Sequence, residues 1–296
     1  MSSKYVITIT YGERVENHAG NQMIGKLASS GMNFDDLNKA KEKFEEKGFT
    51  TDFIDLVKEG EVDKLKCAEA CLLVVRNYVD KVDEINKEVL NFEWDKKCWM
   101  RGRVVNKNAR WNLCYADEGQ EPCYEEKKGR IIPFKDVPSL SKIREELYDY
   151  VGEKGKKLYA EGNYYYDTKK TYIGFHGDSE RKIVIALRLG TEKMPIHYQW
   201  FLNSGPIGKR IKIDLNPGDL YIMSEKAVGT DWKRKIIPTL RHATAVDEKL
   251  LKIKKEEIET KIVKKKKKII IDDSDDENDD ESDNENDDEI IVKKKK

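Results

Sequence analysis

The amino-acid sequence predicts an α+β protein with an antiparallel sandwich or jelly-roll core, flanking helices and an α/β N-terminal region. Between residues 101 and 248, short apolar runs alternate with Gly, Pro, Asn and Asp, which is typical of strands in antiparallel sheets. The first 100 residues contain charged stretches with helical periodicity. From residue 249 onward aromatic residues are absent and charge dominates.

The N-terminal region should combine one strand with two helices. An alternating run from Tyr5 to Tyr11 predicts the strand. Asn33 to Gly48 predicts a helix because a capping asparagine opens it and a glycine closes it. Asp63 to Val89 carries apolar residues at helical spacing and predicts a second helix, with Cys67 and Cys71 buried on one face.

The central region, residues 101–248, should contain one helix among eight strands. Pro138 to Val151 predicts the helix, since proline opens it and apolar residues follow at helical spacing. The strands are expected at 110–115, 157–166, 172–175, 182–189, 196–202, 210–215, 220–223 and 240–246. Two sheets of such strands would enclose a site and leave one mouth open.

A formal net charge of zero hides a strong asymmetry along the chain. The acidic run 272–289 holds 13 Asp or Glu residues; without it and the final four lysines, 52 basic residues outnumber 43 acidic ones. The body is therefore basic and suits a polyanionic partner. Residues 249–296 are expected to form a charged, largely disordered tail that could mask the body. The lysine run 264–268 is either a localisation or nucleic-acid-binding signal or simply solvated.

Cysteine usage and hydropathy bear on the compartment. The five cysteines are odd in number and follow no signal peptide, which favours reduced thiols in an intracellular protein, cytoplasmic or nuclear and not secreted. No apolar run approaches the roughly 20 residues that a membrane span requires. We therefore expect a soluble protein that does not bind membranes.

The stretch from Asn163 to Glu180 contains the most specific motif. It places His176 and Asp178 two residues apart in a strand-like run, so both side chains share a face and can reach a common ion. His242 is the candidate third ligand, which would complete a 2-His-1-carboxylate set. That set binds non-haem Fe(II) and leaves coordination positions open. A lone His-x-Asp recurs by chance, so the neighbouring motifs matter.

The order of those motifs resembles the AlkB-like branch of the Fe(II)/2-oxoglutarate-dependent dioxygenases, over about residues 110–246. It runs from NYY through IGFHGDSE, IVIALRLG, IHYQWFLN and NPGDLYIMSE to a last histidine. The resemblance implies a double-stranded β-helix, which is a jelly roll. It makes His176, Asp178 and His242 the iron ligands and catalytic residues, with 2-oxoglutarate and O₂ as co-substrates.

The resemblance also implies binding residues. Asn163 and Tyr165 match an Asn-x-Tyr pair that contacts 2-oxoglutarate in that family. Residues 108–134, which we call the lid segment, resemble the family's nucleotide-recognition lid. On that match Tyr115, Asp117 and Tyr124 would line the substrate entrance.

One departure from the family concerns the cation that grips the far carboxylate of 2-oxoglutarate. The family places an arginine after the distal histidine, and none follows His242 here. Lys249, Lys252, Arg188 and Arg241 are the candidates, and we take the downstream Lys252 as the expected anchor. Arg241 neighbours a ligand on one strand and should point away from the metal.

Three functions remain open from the sequence. The leading hypothesis is oxidative demethylation of an alkylated base in DNA or RNA, with the basic body contacting phosphates and a flipped base entering the site. The second is hydroxylation of a protein side chain or a small molecule. The third is a non-catalytic binding module on the same fold, which the missing arginine favours.

Overall fold

The computed structural model describes residues 4–253, which form a mixed α+β structure made mostly of β-sheet. The chain up to Lys252 makes one compact unit. The predicted lysine run 264–268, the acidic run 272–289 and the disorder expected for them lie outside the described residues.

Sixteen strands occur in this described part of the chain. In chain order they are β1 (Val6–Gly12), β2 (Arg14–Asn17), β3 (Gln22–Gly25), β4 (Thr50–Asp55), β5 (Cys71–Arg76), β6 (Lys97–Met100), β7 (Arg103–Asn106), β8 (Trp111–Ala116), β9 (Ile131–Pro133), β10 (Tyr159–Tyr165), β11 (Ile173–His176), β12 (Val184–Gly190), β13 (Ile196–Leu202), β14 (Gly205–Ile213), β15 (Leu220–Met223) and β16 (Thr239–Thr244). An eight-stranded sheet has the order β4-β5-β15-β12-β1-β10-β8-β9, and a four-stranded sheet has the order β11-β16-β13-β14. Two hairpins, β2-β3 and β6-β7, complete the sheets. All eight predicted central strands are present, with ends that shift by a few residues.

Five α-helices accompany the strands within residues 4–253. They are α1 (Phe34–Glu46), α2 (Leu56–Glu59), α3 (Val82–Leu90), α4 (Pro138–Val151) and α5 (Glu225–Val228). A capping box opens α1, in which Asn33 and Asp36 each accept a backbone N–H bond from the other. The predicted helices at 33–48 and 138–151 are confirmed. None of the described helices is long and apolar enough to cross a membrane.

The helix predicted from Asp63 to Val89 is wrong. The segment instead contains a loop, strand β5 and, from Val82, all of α3 except its last residue. Residues Cys71 to Val75 of β5 are all buried, because one face of the sheet is covered by helices and the other by the second sheet. A strand buried on both faces reads as a continuous apolar run, which cannot be distinguished from a helix by periodicity. Cys67 and Cys71 are both buried and free, as expected, but they do not share a helix face.

The eight-stranded sheet is the middle layer of the unit. Ile185 and Leu187 of β12 pack in one apolar cluster with residues of α1, α3 and α4. Val184 and Ala186 of the same strand pack in a second cluster with residues of β13, β14 and β16. Alternate residues of a strand face opposite sides, so helices cover one face and the four-stranded sheet covers part of the other.

The N-terminal region is part of this sheet. Strand β1 lies between β10 and β12, and Thr8 is the partner of both Asn163 and Arg188. Every residue of β1 is buried, so this strand depends on its later neighbours for its backbone hydrogen bonds. The expected boundary near residue 100 therefore separates no compact units, since residues 1–100 and 101–248 share one sheet.

Candidate metal centre

Three predicted ligands meet at the end of the four-stranded sheet. His176 is the last residue of β11 and pairs directly with His242 of β16. Asp178 follows two residues later, and its backbone N–H donates to the carbonyl of Val228 at 3.0 Å. Gly177 allows this turn, because a Cβ there would lie 2.1 Å from the carbonyl oxygen of Gly229. The turn thus holds the carboxylate beside the paired histidines.

The three side chains converge on one point. Asp178 Oδ1 lies 3.4 Å from His176 Nε2 and 3.5 Å from His242 Nε2. One candidate ligand atom from each residue lies within 4.8 Å of the other two. His176 Nδ1 lies 2.8 Å from the Gly174 carbonyl oxygen, which favours a proton on Nδ1 and leaves the Nε2 lone pair for a ligand. Two imidazoles and one carboxylate on one side suit a divalent metal with open positions.

Electrostatics favour the ligand forms of two of these groups. Burial opposes ionisation of Asp178, but Arg181, His176 and His242 together hold its pKa well below its usual range. Burial and the nearby His176 ring lower the pKa of His242. Near neutral pH the site therefore offers a carboxylate and, at His242, a neutral imidazole, as metal binding requires.

The ligands open into a cavity of about 490 Å³. Its floor is the inner face of the eight-stranded sheet, to which β10 contributes Glu161, Asn163 and Tyr165. These residues are two apart, so strand alternation turns all three to the same side. Strand β1 contributes Thr8 and Thr10 in the same way, and residues of the β2-β3 region form part of the outer wall.

Asn163 and Tyr165, for which the resemblance implies contact with 2-oxoglutarate, both line this cavity. Asn163 Oδ1 accepts hydrogen bonds from Arg110 Nε and from Asn112 Nδ2, the latter at 2.8 Å. Its Nδ2 donates to Glu161 Oε1 at 2.9 Å. The Tyr165 side chain is buried, and burial raises the pKa of its hydroxyl. The asparagine amide is thus fixed in orientation at the cavity floor.

Two buried arginines, Arg181 and Arg188, line the cavity, and Arg188 is the one without a carboxylate partner among residues 4–253. It is 1% exposed, and two of its nitrogens donate to the hydroxyls of Thr8 and Thr244. Its Nε has no hydrogen-bond partner, and no carboxylate lies within ion-pair distance of it among residues 4–253. A buried guanidinium without an anion is costly. The arrangement therefore provides a ready site for an anionic group of a ligand.

The expected anchor Lys252 does not belong to the cavity. Its side chain is exposed and does not line the space around the ligands. It follows the end of β16 by eight residues and lies in a segment without regular structure, so sequence order after His242 does not translate into proximity. Arg241 also lies outside the cavity and packs over the ring of Phe201, with 4.0 Å between the guanidinium carbon and the ring centre.

A ladder of charged groups extends from Asp178 toward the outer wall. Asp178 Oδ2 lies 3.4 Å from Arg181 Nε, and Arg181 Nη2 lies 2.6 Å from Glu161 Oε2. Glu161 Oε1 lies 2.9 Å from His18 Nε2, and His18 Nδ1 lies 3.4 Å from Glu16. Arg181 and Glu161 have only 3% of their side chains exposed. One oxygen of Asp178 thus faces the histidines and the other faces a fixed cation.

The protonation states along this ladder follow from its pairing. Burial raises the pKa of Glu161, but Arg181 and His18 outweigh it and hold the pKa well below its usual range. Burial lowers the pKa of His18, but Glu161 and Glu16 outweigh it and raise the pKa above its usual value. The ladder therefore holds alternating negative and positive charges.

Comparison with known proteins adds a relative but no activity. No protein-family model matches the chain. The chain is 48% identical over 253 residues to an uncharacterized protein of Acanthamoeba polyphaga mimivirus, a match that covers 83% of this chain and 97% of that protein. The chain belongs to the family of this mimivirus protein.

The three residues predicted for the substrate entrance do not line the cavity. Tyr115 is fully buried on the helix-covered face of the sheet, with its ring centre 6.4 Å from that of Phe134. Asp117 is exposed and pairs with Arg144. The Tyr124 hydroxyl donates to Asp95 Oδ1 at 2.8 Å. The lid segment therefore supplies structural contacts with these three residues.

Of the lid segment only Arg110 lines the cavity, and residues from outside that segment form the outer wall. The outer wall includes Arg14, Glu16, His18 and Met23 from the N-terminal region and Trp232 from the opposite side. A sequence signal existed for two of them: Glu16 and His18 are two apart at the end of a strand, so their side chains can act together. Glu161, which pairs with His18, is 143 residues from it, and only the sheet pairing reveals that contact.

Proposed function

We propose that the protein is an Fe(II)- and 2-oxoglutarate-dependent dioxygenase of the AlkB-like type. The observation that carries the proposal is one cavity lined both by a 2-His-1-carboxylate set and by a buried guanidinium without an anionic partner. A dicarboxylate that chelates a metal at one end needs a cation for its other end. Arg188 meets that requirement, as no other candidate cation from the sequence does.

The fold assignment belongs to the same proposal. An eight-stranded and a four-stranded sheet with an apolar cluster between them are compatible with a double-stranded β-helix, or jelly roll. All strand pairs of both sheets are antiparallel except β8 with β9. The metal ligands would then lie at the open end of the roll.

The residues that line the cavity would have distinct roles in binding Fe(II) and 2-oxoglutarate. His176, Asp178 and His242 would hold Fe(II) from one side, and Arg181 would keep one oxygen of Asp178 away from the metal. Arg188, with Thr8 beside it, would hold the far carboxylate of 2-oxoglutarate, while Asn163 and Tyr165 would provide polar contacts on the floor. Bound Fe(II), 2-oxoglutarate and O₂ supply the oxidation of a substrate C–H bond, with release of succinate and CO₂.

For the substrate we propose an N-methylated base in DNA or RNA. Oxidation of an N-methyl group gives a hydroxymethyl group, which leaves as formaldehyde and restores the N–H bond. The basic surplus of residues 1–271 supports a polyanionic substrate. The argument for a non-catalytic module depended on a missing cation, and Arg188 weakens it. Hydroxylation of a protein or small molecule remains the alternative.

The direct test is co-substrate turnover. Purified protein with Fe(II), ascorbate and 2-oxoglutarate is offered methylated DNA, methylated RNA, their unmethylated counterparts and peptide pools. We expect succinate and formaldehyde in equal amounts with methylated oligonucleotides only, and neither product from the His176→Ala variant. Turnover with peptides alone would overturn the substrate assignment. Absence of iron-dependent turnover with every substrate, together with no 2-oxoglutarate binding, would overturn the dioxygenase itself.

A further inference from the structure

A second concave surface adjoins the metal cavity. It has a volume of about 510 Å³ and lies between the β6-β7 hairpin and residues 106–112. His18 and Arg110 line both this surface and the metal cavity. We call it the hairpin groove. Because two side chains are shared, the groove and the metal cavity are adjacent.

The hairpin presents one face to the groove. Met100 pairs with Arg103, and the two-residue connection Arg101-Gly102 has positive φ angles of 52° and 79°, as in a type I′ turn. Cys98 pairs with Val105 and lies on the same side as Met100. These four paired residues all line the groove. The tight turn therefore fixes which side chains face a ligand.

The charged side chains that line the groove are all basic. Residues 96–116 contain six basic side chains and no Asp or Glu. Arg101 and Arg103 are exposed, and neither has a carboxylate within ion-pair distance in the described part of the chain. Lys107 lies in the groove wall, where burial lowers its pKa to about 8, so most of it is still cationic at pH 7. The groove thus carries cations, Arg101 and Arg103, that no carboxylate of residues 4–253 pairs with.

We propose that the hairpin groove binds the phosphate backbone of single-stranded nucleic acid and directs one base into the metal cavity. This inference rests on the proposed function, because it takes the metal cavity as the destination of the base. Unpaired arginines suit phosphates, and the 52% exposed Met100 gives a base or sugar an apolar contact. A base in a duplex must be unpaired and flipped out before it can enter a cavity, whereas a base in a single strand enters at a lower cost.

Binding can be measured without iron chemistry. The full chain, freed of metal by EDTA, is titrated against a fluorescein-labelled, unmethylated single strand of about 12 nucleotides, over a range of salt concentrations. The test variant is Arg101→Asn with Arg103→Gln, since asparagine tolerates the left-handed turn position. The matched control is Lys39→Gln with Lys47→Gln, which removes the same charge from α1 and its C-terminus, where neither residue lines the groove.

We expect the groove variant to lose at least about fivefold in affinity at low salt and its salt slope to fall by about 1.4, or about 0.7 for each lost phosphate contact. The control should change both quantities much less. Charge reversal, Arg101→Glu with Arg103→Glu, should weaken binding further. Equal losses in groove and control variants, preference for the duplex of the same sequence, or stronger binding of a labelled poly-glutamate peptide would each overturn the proposal.

The failure of this inference is distinguishable from failure of the proposed function. Single-strand binding is measured on metal-free protein, so its outcome does not depend on turnover of 2-oxoglutarate. If the protein binds single strands through Arg101 and Arg103 but never turns over 2-oxoglutarate, the groove proposal is supported and the dioxygenase proposal is overturned. If the groove variant turns over methylated oligonucleotides with an unchanged KM, the dioxygenase proposal stands and the groove proposal is overturned.

Discussion

His176 and His242 face each other across the antiparallel pairing of β11 and β16, with their ring centres 4.4 Å apart. Directly opposed residues in such a pair project to the same side of the sheet. The backbone register therefore brings together two imidazoles that are 66 positions apart in the numbering. Asp178 completes the set from the turn that follows β11.

Replacing Asp178 by Asn tests the ligand set. The amide keeps the shape of the side chain but removes the charge that attracts a divalent cation. We expect Co(II), used as a spectroscopic substitute for Fe(II), to bind at least about tenfold more weakly, with loss of its visible absorption bands. Asp117→Asn, an exposed carboxylate outside the cavity, is the control. Unchanged Co(II) spectra in Asp178→Asn would contradict the assignment.

Arg188→Met tests the anion site. We expect a loss of about 2 kcal/mol of binding free energy, which is modest for a buried charge contact. That loss corresponds to about 30-fold weaker binding of 2-oxoglutarate. The free protein should be no less stable, since the lost guanidinium has no anionic partner among the described residues. Calorimetric titration with 2-oxoglutarate and thermal unfolding measure the two effects. Lys252→Met should alter neither, and equal weakening in both variants would exclude Arg188 as the specific anchor.

The contrast between these two cations shows what the sequence could and could not predict. The clustering of His176, Asp178 and His242 was predictable, because His176 and Asp178 are two residues apart in the chain and a resemblance supported His242 as their partner. The position of the buried cation was not predictable from the sequence. Arg188 contacts Thr8 through the pairing of β12 with β1, and these two residues are 180 positions apart. Strand alternation also decided against Tyr115, which packs on the helix-covered face. Local sequence shows which face of a strand is buried only when the other face is polar. Both faces of the strand that carries Tyr115 are covered, so its sequence does not show which side chains face the cavity.

Glu161→Gln tests the buried ladder. Glutamine keeps the shape and can still hydrogen-bond, but Arg181 loses a carboxylate 2.6 Å away. Removal of one partner of a buried ion pair costs about 3–5 kcal/mol of unfolding free energy. Glu84→Gln, whose pair with Lys81 is largely exposed, should cost less than about 1 kcal/mol. Urea denaturation measures both, and equal small losses would show that the ladder contributes little.

His18→Gln tests the pH dependence at the cavity wall. The folded-state pKa of His18 is raised by Glu161 and Glu16, so the folded protein binds its proton more tightly than the unfolded chain. The resulting stability is fully present below about pH 6.5, the unfolded pKa, and is lost as pH rises through the folded pKa. The stability difference between metal-free wild type and His18→Gln should therefore shrink as pH rises above about 6.5. A difference that grows with pH would contradict the pairing.

Deletion of the acidic C-terminal run tests whether it competes with nucleic acid for the basic body. A chain that ends at Ile271 loses 13 acidic residues and four lysines but keeps the whole compact unit. We expect it to bind the labelled single strand more tightly at low salt, with the gain disappearing near 1 M salt, where screening acts over about 3 Å. If the run competes for the groove, the same deletion in the Arg101→Asn, Arg103→Gln variant should give a smaller gain. An equal gain in both backgrounds would place the competition elsewhere on the body, and no gain in either would exclude it.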